Sequence, residues 1–193
     1  MNPRSDLNPP AVVADLLAEA ESLGFRLSCE PLTGSLLRTL AASKPGGKLL
    51  ELGTGVGVGT AWLLAGMSSD ARLTTVDNDG RVQEVARRHL GGDSRVTFHT
   101  EDAGPLLQRL TPGSFDLIFA DAWPGKFSLL DEALRLLRPG GLYVVDDLSP
   151  QPTWPTDHAP KVGRLLAELQ GRDDLVITRL AWSSGIVVAA PRG

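Results

Sequence analysis

The apolar positions of this chain keep two rhythms. In AVVADLLAEAESLG, residues 11 to 24, they recur at helical spacing and stop at Gly24. Asn8-Pro9-Pro10 reads as the start of that helix, with Asn8 as the cap and proline in the first turn. A second helix is predicted over residues 33 to 43, ending before Pro45-Gly46-Gly47. Beyond it the texture changes. KLLEL (48 to 52), RLTTVD (72 to 77), RVTFH (95 to 99), FDLIFAD (115 to 121) and LYVVDD (142 to 147) are short, apolar and bounded by turn residues, with helical patterns between them. Such strands, separated by helices, predict a mostly parallel sheet covered on both faces. The end differs, because DLVITRL and GIVVAA are separated only by residues 181 to 184, too few for a parallel crossover. They should pair as an antiparallel hairpin at the sheet edge. The expectation is an α/β, doubly wound, seven-stranded sheet. It forms a single domain over residues 1 to 193, with helices in 1 to 44 and the α/β core in 45 to 193.

Composition narrows the field. A chain of 193 residues with 42% hydrophobic content is large enough for one continuous core. A formal charge of −4 argues against nucleic acid as a partner, because phosphate-backbone binding needs a basic face. Cys29 is the only cysteine, which excludes an intramolecular disulfide and a Cys-based zinc site and fits a reducing, cytoplasmic setting. The opening MNPRSDLNPP is unlike a signal peptide, and no apolar run approaches the roughly 18 residues of a membrane span. No membrane partner is expected.

Candidate chemistry begins at LLELGTGVGVGTAWLL, residues 49 to 64, where a strand runs through four alternating glycines into a helix. A helix start offers unpaired N–H groups, and glycine lets a ligand lie close to the chain. The dinucleotide fingerprint fails in every register, since its last place falls on Val58, Thr60 or Trp62. The phosphate loop of nucleotide triphosphatases fails too, because no lysine follows these glycines. Glu51, Asp77, Asp102, Asp121, Asp146 and Asp147 all fall at or near the carboxyl ends of predicted strands, which in an open parallel sheet face one crevice. So acidic a rim suits a ligand bearing sulfonium and ammonium groups.

With ELGTGVGVGT, TVDND, TEDA, IFADAWPGKF and LLRPGGLYVVDDL in that order, the chain resembles the class I S-adenosylmethionine-dependent methyltransferases from about residue 28 onward. Within them it is similar to the small O-methyltransferases of the catechol and caffeoyl-CoA type. The resemblance implies a Rossmann-like fold, S-adenosylmethionine as methyl donor and a small-molecule acceptor methylated at a hydroxyl oxygen. It implies that Gly53, Thr54, Gly55 and Gly57 wrap the donor's methionine end with Glu51 nearby. Asp77, with Asn78 beside it, would accept the ribose hydroxyls. Asp102 and Ala103 would border the adenine, and Thr33 and Gly34 would lie against the donor from the preceding helix. Asp121 would touch donor, acceptor or metal.

In the catechol-type relatives two aspartates and an asparagine hold a magnesium ion that binds vicinal hydroxyls. The matching places here are Asp121, Asp146 and Asp147, with Asp147 replacing the asparagine, and carboxylate oxygens suit Mg²⁺ or another hard divalent cation. The relatives also carry a lysine, acting as base, three residues after the first aspartate; here that place is Pro124. Lys126 and His158 are the alternative bases. Each acid also has a plain reading: Asp77 as the cap of a helix near Gly80, Asp102 as a cap, and Asp146 with Asp147 as loop caps. Trp123 and Trp154 either wall an acceptor or pack a proline-rich loop, residues 149 to 160 form a candidate lid, and Trp182 reads as structural. Arg81, Arg87 and Arg88 with Glu84 read as a solvated helix face, including a Glu84/Arg88 pair. Relatives are often dimers, so a homodimer is an open expectation. Aminopropyl or N-methyl transfer, a nicotinamide-dependent oxidoreductase and a non-catalytic binding protein are the rival readings.

Overall fold

The computed structural model describes residues 7–151 and 154–192. Helices α1 (Val12–Leu23) and α2 (Pro31–Ala42) lead into β1 (Lys48–Leu52), α3 (Val58–Gly66), β2 (Arg72–Asp77), α4 (Gly80–Leu90) and β3 (Val96–Thr100). There follow α5 (Ala103–Arg109), β4 (Phe115–Ala120), α6 (Leu130–Leu134), β5 (Leu137–Val145), α7 (His158–Gln170), β6 (Leu175–Leu180) and β7 (Ile186–Pro191). The seven strands lie in the order β3-β2-β1-β4-β5-β7-β6. The first five are parallel, and β7 pairs antiparallel with both β5 and β6, as the hairpin reading requires.

Side-chain alternation along the strands builds two cores. Leu49, Leu73, Leu117, Phe119 and Val144 face the layer of α1 to α4, where Leu16, Leu37 and Trp62 are buried. Leu50, Leu52, Ile118, Tyr143 and Val145 face α5 to α7, meeting Leu106, Leu134 and Leu165. Because β1 lies between β2 and β4, the strand order reverses at β1, and the crevice at that switch point is where open α/β sheets place ligands.

Several local expectations are corrected. Asn8 does not cap α1: its φ is 44°, the helix begins at Val12, and Pro10 carbonyl accepts the Val13 N–H. Pro10 restricts Pro9 to extended backbone, so the helix starts only after both prolines. Strand β5 starts at Leu137 rather than 142, with an excursion through Arg138-Pro139-Gly140 where the register with β4 shifts. His158 is the first residue of α7 and buried, not a loop residue. Arg88 pairs with Glu19 of α1 instead of Glu84, which ties α4 to α1. Part of the 149 to 160 lid, residues 152 and 153, and the chain start at 1 to 6 lie outside the described residues.

Candidate active site

The glycine loop joins β1 to α3 through left-handed backbone at alternate residues: φ is 103° at Gly53, 52° at Gly55 and 94° at Gly57. Other residues adopt that region only at a cost, so the spacing of the glycines is the spacing of the turns. The loop is held on both sides. Val76 carbonyl accepts the Gly53 N–H, and Asp77 accepts the Gly55 N–H on Oδ2 at 2.7 Å and the Asp79 N–H on Oδ1 at 2.9 Å. Asp77 does not cap α4. Asp79 does, accepting the N–H groups of Arg81 and Val82. Each Asp77 oxygen keeps a lone pair for a ligand.

Beneath the loop lies a buried polar network. Glu51 Oε2 accepts the Thr60 hydroxyl at 2.5 Å and the Thr75 hydroxyl at 2.7 Å; Thr54 shares a 2.7 Å bond with Thr75 and accepts Gln83 Nε2 at 2.9 Å. Glu51 Oε1 is buried without a partner, against Gly59, where any Cβ would lie 2.5 Å from it. Burial pushes the Glu51 carboxyl up to about 7, the two hydroxyls opposing that rise. A buried carboxylate oxygen lacking a donor is the group a cationic ligand would satisfy.

These elements enclose a half-open cleft of about 290 Å³. Of the expected donor residues, Glu51, Gly53, Thr54, Gly55, Asp77, Asn78 and Asp121 line it. The others are placed elsewhere. Gly57 packs on Ala86, and Gly34 packs on Trp62 beside a buried Thr33. Asp102 caps α5 by accepting the Gly104 N–H at 2.7 Å, with Ala103 buried behind it. The wall opposite the loop was not read from the sequence: Phe25, Leu27, Ser28 and Cys29 close over it from between α1 and α2. That segment carries no motif and reaches the cleft only through tertiary packing, with the Phe25 ring 3.1 Å from where a Gly55 Cβ would stand.

At the inner end, burial raises the carboxyls of Asp121 and Asp146, Asp121 well above the usual range with the Asp146 charge adding to its rise, and Asp146 to about 6; Asp146 Oδ1 is buried without a partner. The positive charge of Lys126, 4% exposed, opposes both rises. The third expected metal ligand is absent from this group. Asp147 has φ 57°, and its carboxylate accepts the Trp154 indole N–H at 2.6 Å and meets His158 Nε2 at 3.1 Å. His158 is gripped between Trp154 and Phe127, with ring centroids 4.4 and 5.1 Å away. Among the described residues no three carboxylate, histidine or cysteine groups converge as metal ligands. The expected trio of Asp121, Asp146 and Asp147 does not converge, because Asp147 turns to Trp154 and His158. Trp182 is structural as expected, its indole donating to Leu32 carbonyl at 2.9 Å.

Residues 50–148 match the protein family described as Methyltransferase domain. The chain belongs to that methyltransferase family. A relative from Mycolicibacterium smegmatis, provisionally named an O-methyltransferase, is 36% identical over 144 residues, covering 72% of this chain and 68% of its own length. Others cover less, and the match to a relative from Mycobacterium avium spans 54% of that protein. Among the solved structures similar to this chain, two cover nearly all of its residues. The O-methyltransferase TomG from Streptomyces achromogenes, in complex with SAM, is 27% identical with a TM-score of 0.81, over 95% of this chain and 90% of that one. Cofactor-bound Rv0187 from MTB is 28% identical with a TM-score of 0.76, over 96% and 98%. No helix among the described residues is long and apolar enough to cross a membrane.

Proposed function

We propose that this methyltransferase moves a methyl group from S-adenosylmethionine to a hydroxyl oxygen of a small-molecule acceptor, in the cytoplasm. One observation carries the reading: a glycine turn held by Asp77 lies over a buried, unpartnered Glu51 oxygen at the sheet's switch point. That pairing of a close-approach loop with unspent negative charge fits a cationic donor and disfavours a pyrophosphate. The TomG complex, which holds SAM on the same fold, supports it.

Glu51, the 53–55 turn, Asp77 and Asn78 would hold the donor, which when bound supplies an electrophilic methyl on a sulfonium. Asp121 lines the same cleft and orients an acceptor hydroxyl toward that end. The Asp121 carboxyl, raised by burial and by the charge of Asp146, would hold or take the hydroxyl proton. His158, engaged by Asp147 and outside the cleft wall, has a positioning role.

Incubation with methyl-labelled S-adenosylmethionine and a panel of phenols, alcohols and amines tests this. Label on oxygen of an acceptor is expected; aminopropyl products, label on nitrogen only, or no binding of donor would overturn it.

A further inference from the structure

The polar network beneath the glycine loop runs in one direction, and its sense is set at Gln83, buried on α4. One end of that amide faces His99 carbonyl at 2.9 Å, which can only accept; the other faces Arg87 Nη2 at 3.3 Å, which can only donate. The amide therefore has one orientation, with Nε2 toward His99 and Oε1 toward Arg87. Thr100 accepts from Arg87 at 2.8 Å and passes its own proton to Gln83 Oε1 at 2.5 Å. Arg87, expected on a solvated helix face, is the cationic head of this chain. Beyond the amide each hydroxyl has a single proton to give. Thr54 accepts from Gln83 Nε2, so its proton goes to Thr75, and Thr75 donates to Glu51 Oε2. The opposite sense would have both neighbours donating to Thr54 and leave its own proton unspent at a buried site. Thr60 adds a second bond to the same Glu51 oxygen. The network's protons are then spent, and Glu51 Oε1 is the oxygen left over.

We infer that Thr75 and Gln83 are positioning residues for the methyl donor: their chain holds Glu51 Oε2 as a double acceptor and so reserves Oε1 for a cation in the cleft. The words "methyl donor" rest on the methyltransferase reading; the sense of the hydrogen bonds does not. Thr54 serves the cleft through its backbone and methyl group, because its hydroxyl is engaged in the chain. Cys29, Asp77, Asp79 and Asp121 line the same cleft with Glu51, from the roof, the end of β2, the cap of α4 and the end of β4. All four remain in every variant below, so their charges cancel from each comparison.

Calorimetry of S-adenosylmethionine on the full chain, read as a ratio to wild type at each pH from about 6 to 8.5, tests this. Thr75→Val removes one bond to the ionised carboxylate, so affinity at pH 7 should fall about three- to tenfold, and the loss should shrink by pH 8.5, where Glu51 ionises regardless. Thr75→Ser restores the hydroxyl and should keep the wild-type profile. Gln83→Met should shift the profile the same way, by about twofold at pH 7, and no further once Thr75→Val is present. An equal loss at every pH, a Thr75→Ser profile like that of Thr75→Val, or shifts that simply add would overturn the assignment. If Thr75→Val does not fold, Gln83→Met alone decides between a loss that shrinks with pH and a uniform one. Unfolding of the free chain keeps the two readings apart. The cost of Thr75→Val should be larger at pH 8.5 than at pH 6, because the ionised carboxyl is the form that loses the bond. That result with no S-adenosylmethionine bound by wild type tells against the methyltransferase reading alone; a cost independent of pH overturns the chain.

Discussion

Donor binding should be coupled to a proton at Glu51. In the free protein burial holds this carboxyl near pH 7, so at pH 6 it is mostly protonated. A cationic donor beside the unpartnered Oε1 favours the ionised form, and binding below pH 7 must then release a proton. If the ionised form alone binds well, affinity at pH 6 is about tenfold below that at pH 8, or ~1.4 kcal/mol. Calorimetry of S-adenosylmethionine at pH 6, 7 and 8, in two buffers of different ionisation heat, reads both the affinity and the protons released. Asp146 titrates in the same range, so Glu51→Gln is the control and should flatten the profile. A flat wild-type profile, or an equal slope in Glu51→Gln, refutes the reasoning. The sign for stability is opposite. Folding raises this group above its ordinary 4.5, so its contribution falls as pH climbs from there to about 7 and is level beyond. Glu51→Gln should therefore be more stable at pH 8, by on the order of 3 kcal/mol at most, even as it binds donor less well.

Other outcomes follow from the same contacts. Asp77→Asn places a donor against the Gly55 or Asp79 N–H, and should weaken donor affinity about 10- to 100-fold by calorimetry, the scale of a charge-assisted bond. Gly55→Ala forces left-handed backbone and crowds the Phe25 ring, and should cost ~1–2 kcal/mol in denaturant unfolding along with donor affinity. His158→Ala empties the clasp between Trp154 and Phe127; a loss of about 2–4 kcal/mol is expected in the same assay.

The strand pattern was legible because burial on both faces leaves uninterrupted apolar runs, and the hairpin because four residues cannot cross a sheet. Alternating glycines announced the cleft floor, since each marks a left-handed turn or a close approach. The cleft roof was not legible: Phe25 to Cys29 owes its place to how α1 and α2 pack. Nor was the parting of Asp146 from Asp147. Consecutive strand residues point to opposite faces, but where β5 ends the backbone turns left-handed at Asp147, a conformation that short polar side chains tolerate. That turn, invisible in the letters, takes one carboxylate to Trp154 and His158 and leaves the other buried.

The most direct test of the whole account is competition binding at the acidic cleft, with calorimetric titration of wild type and Asp77→Asn by S-adenosylmethionine, NAD and ATP. One S-adenosylmethionine per chain, weakened in the variant, with neither nucleotide competing, is the predicted result. Uptake of NAD or ATP in its place would contradict it.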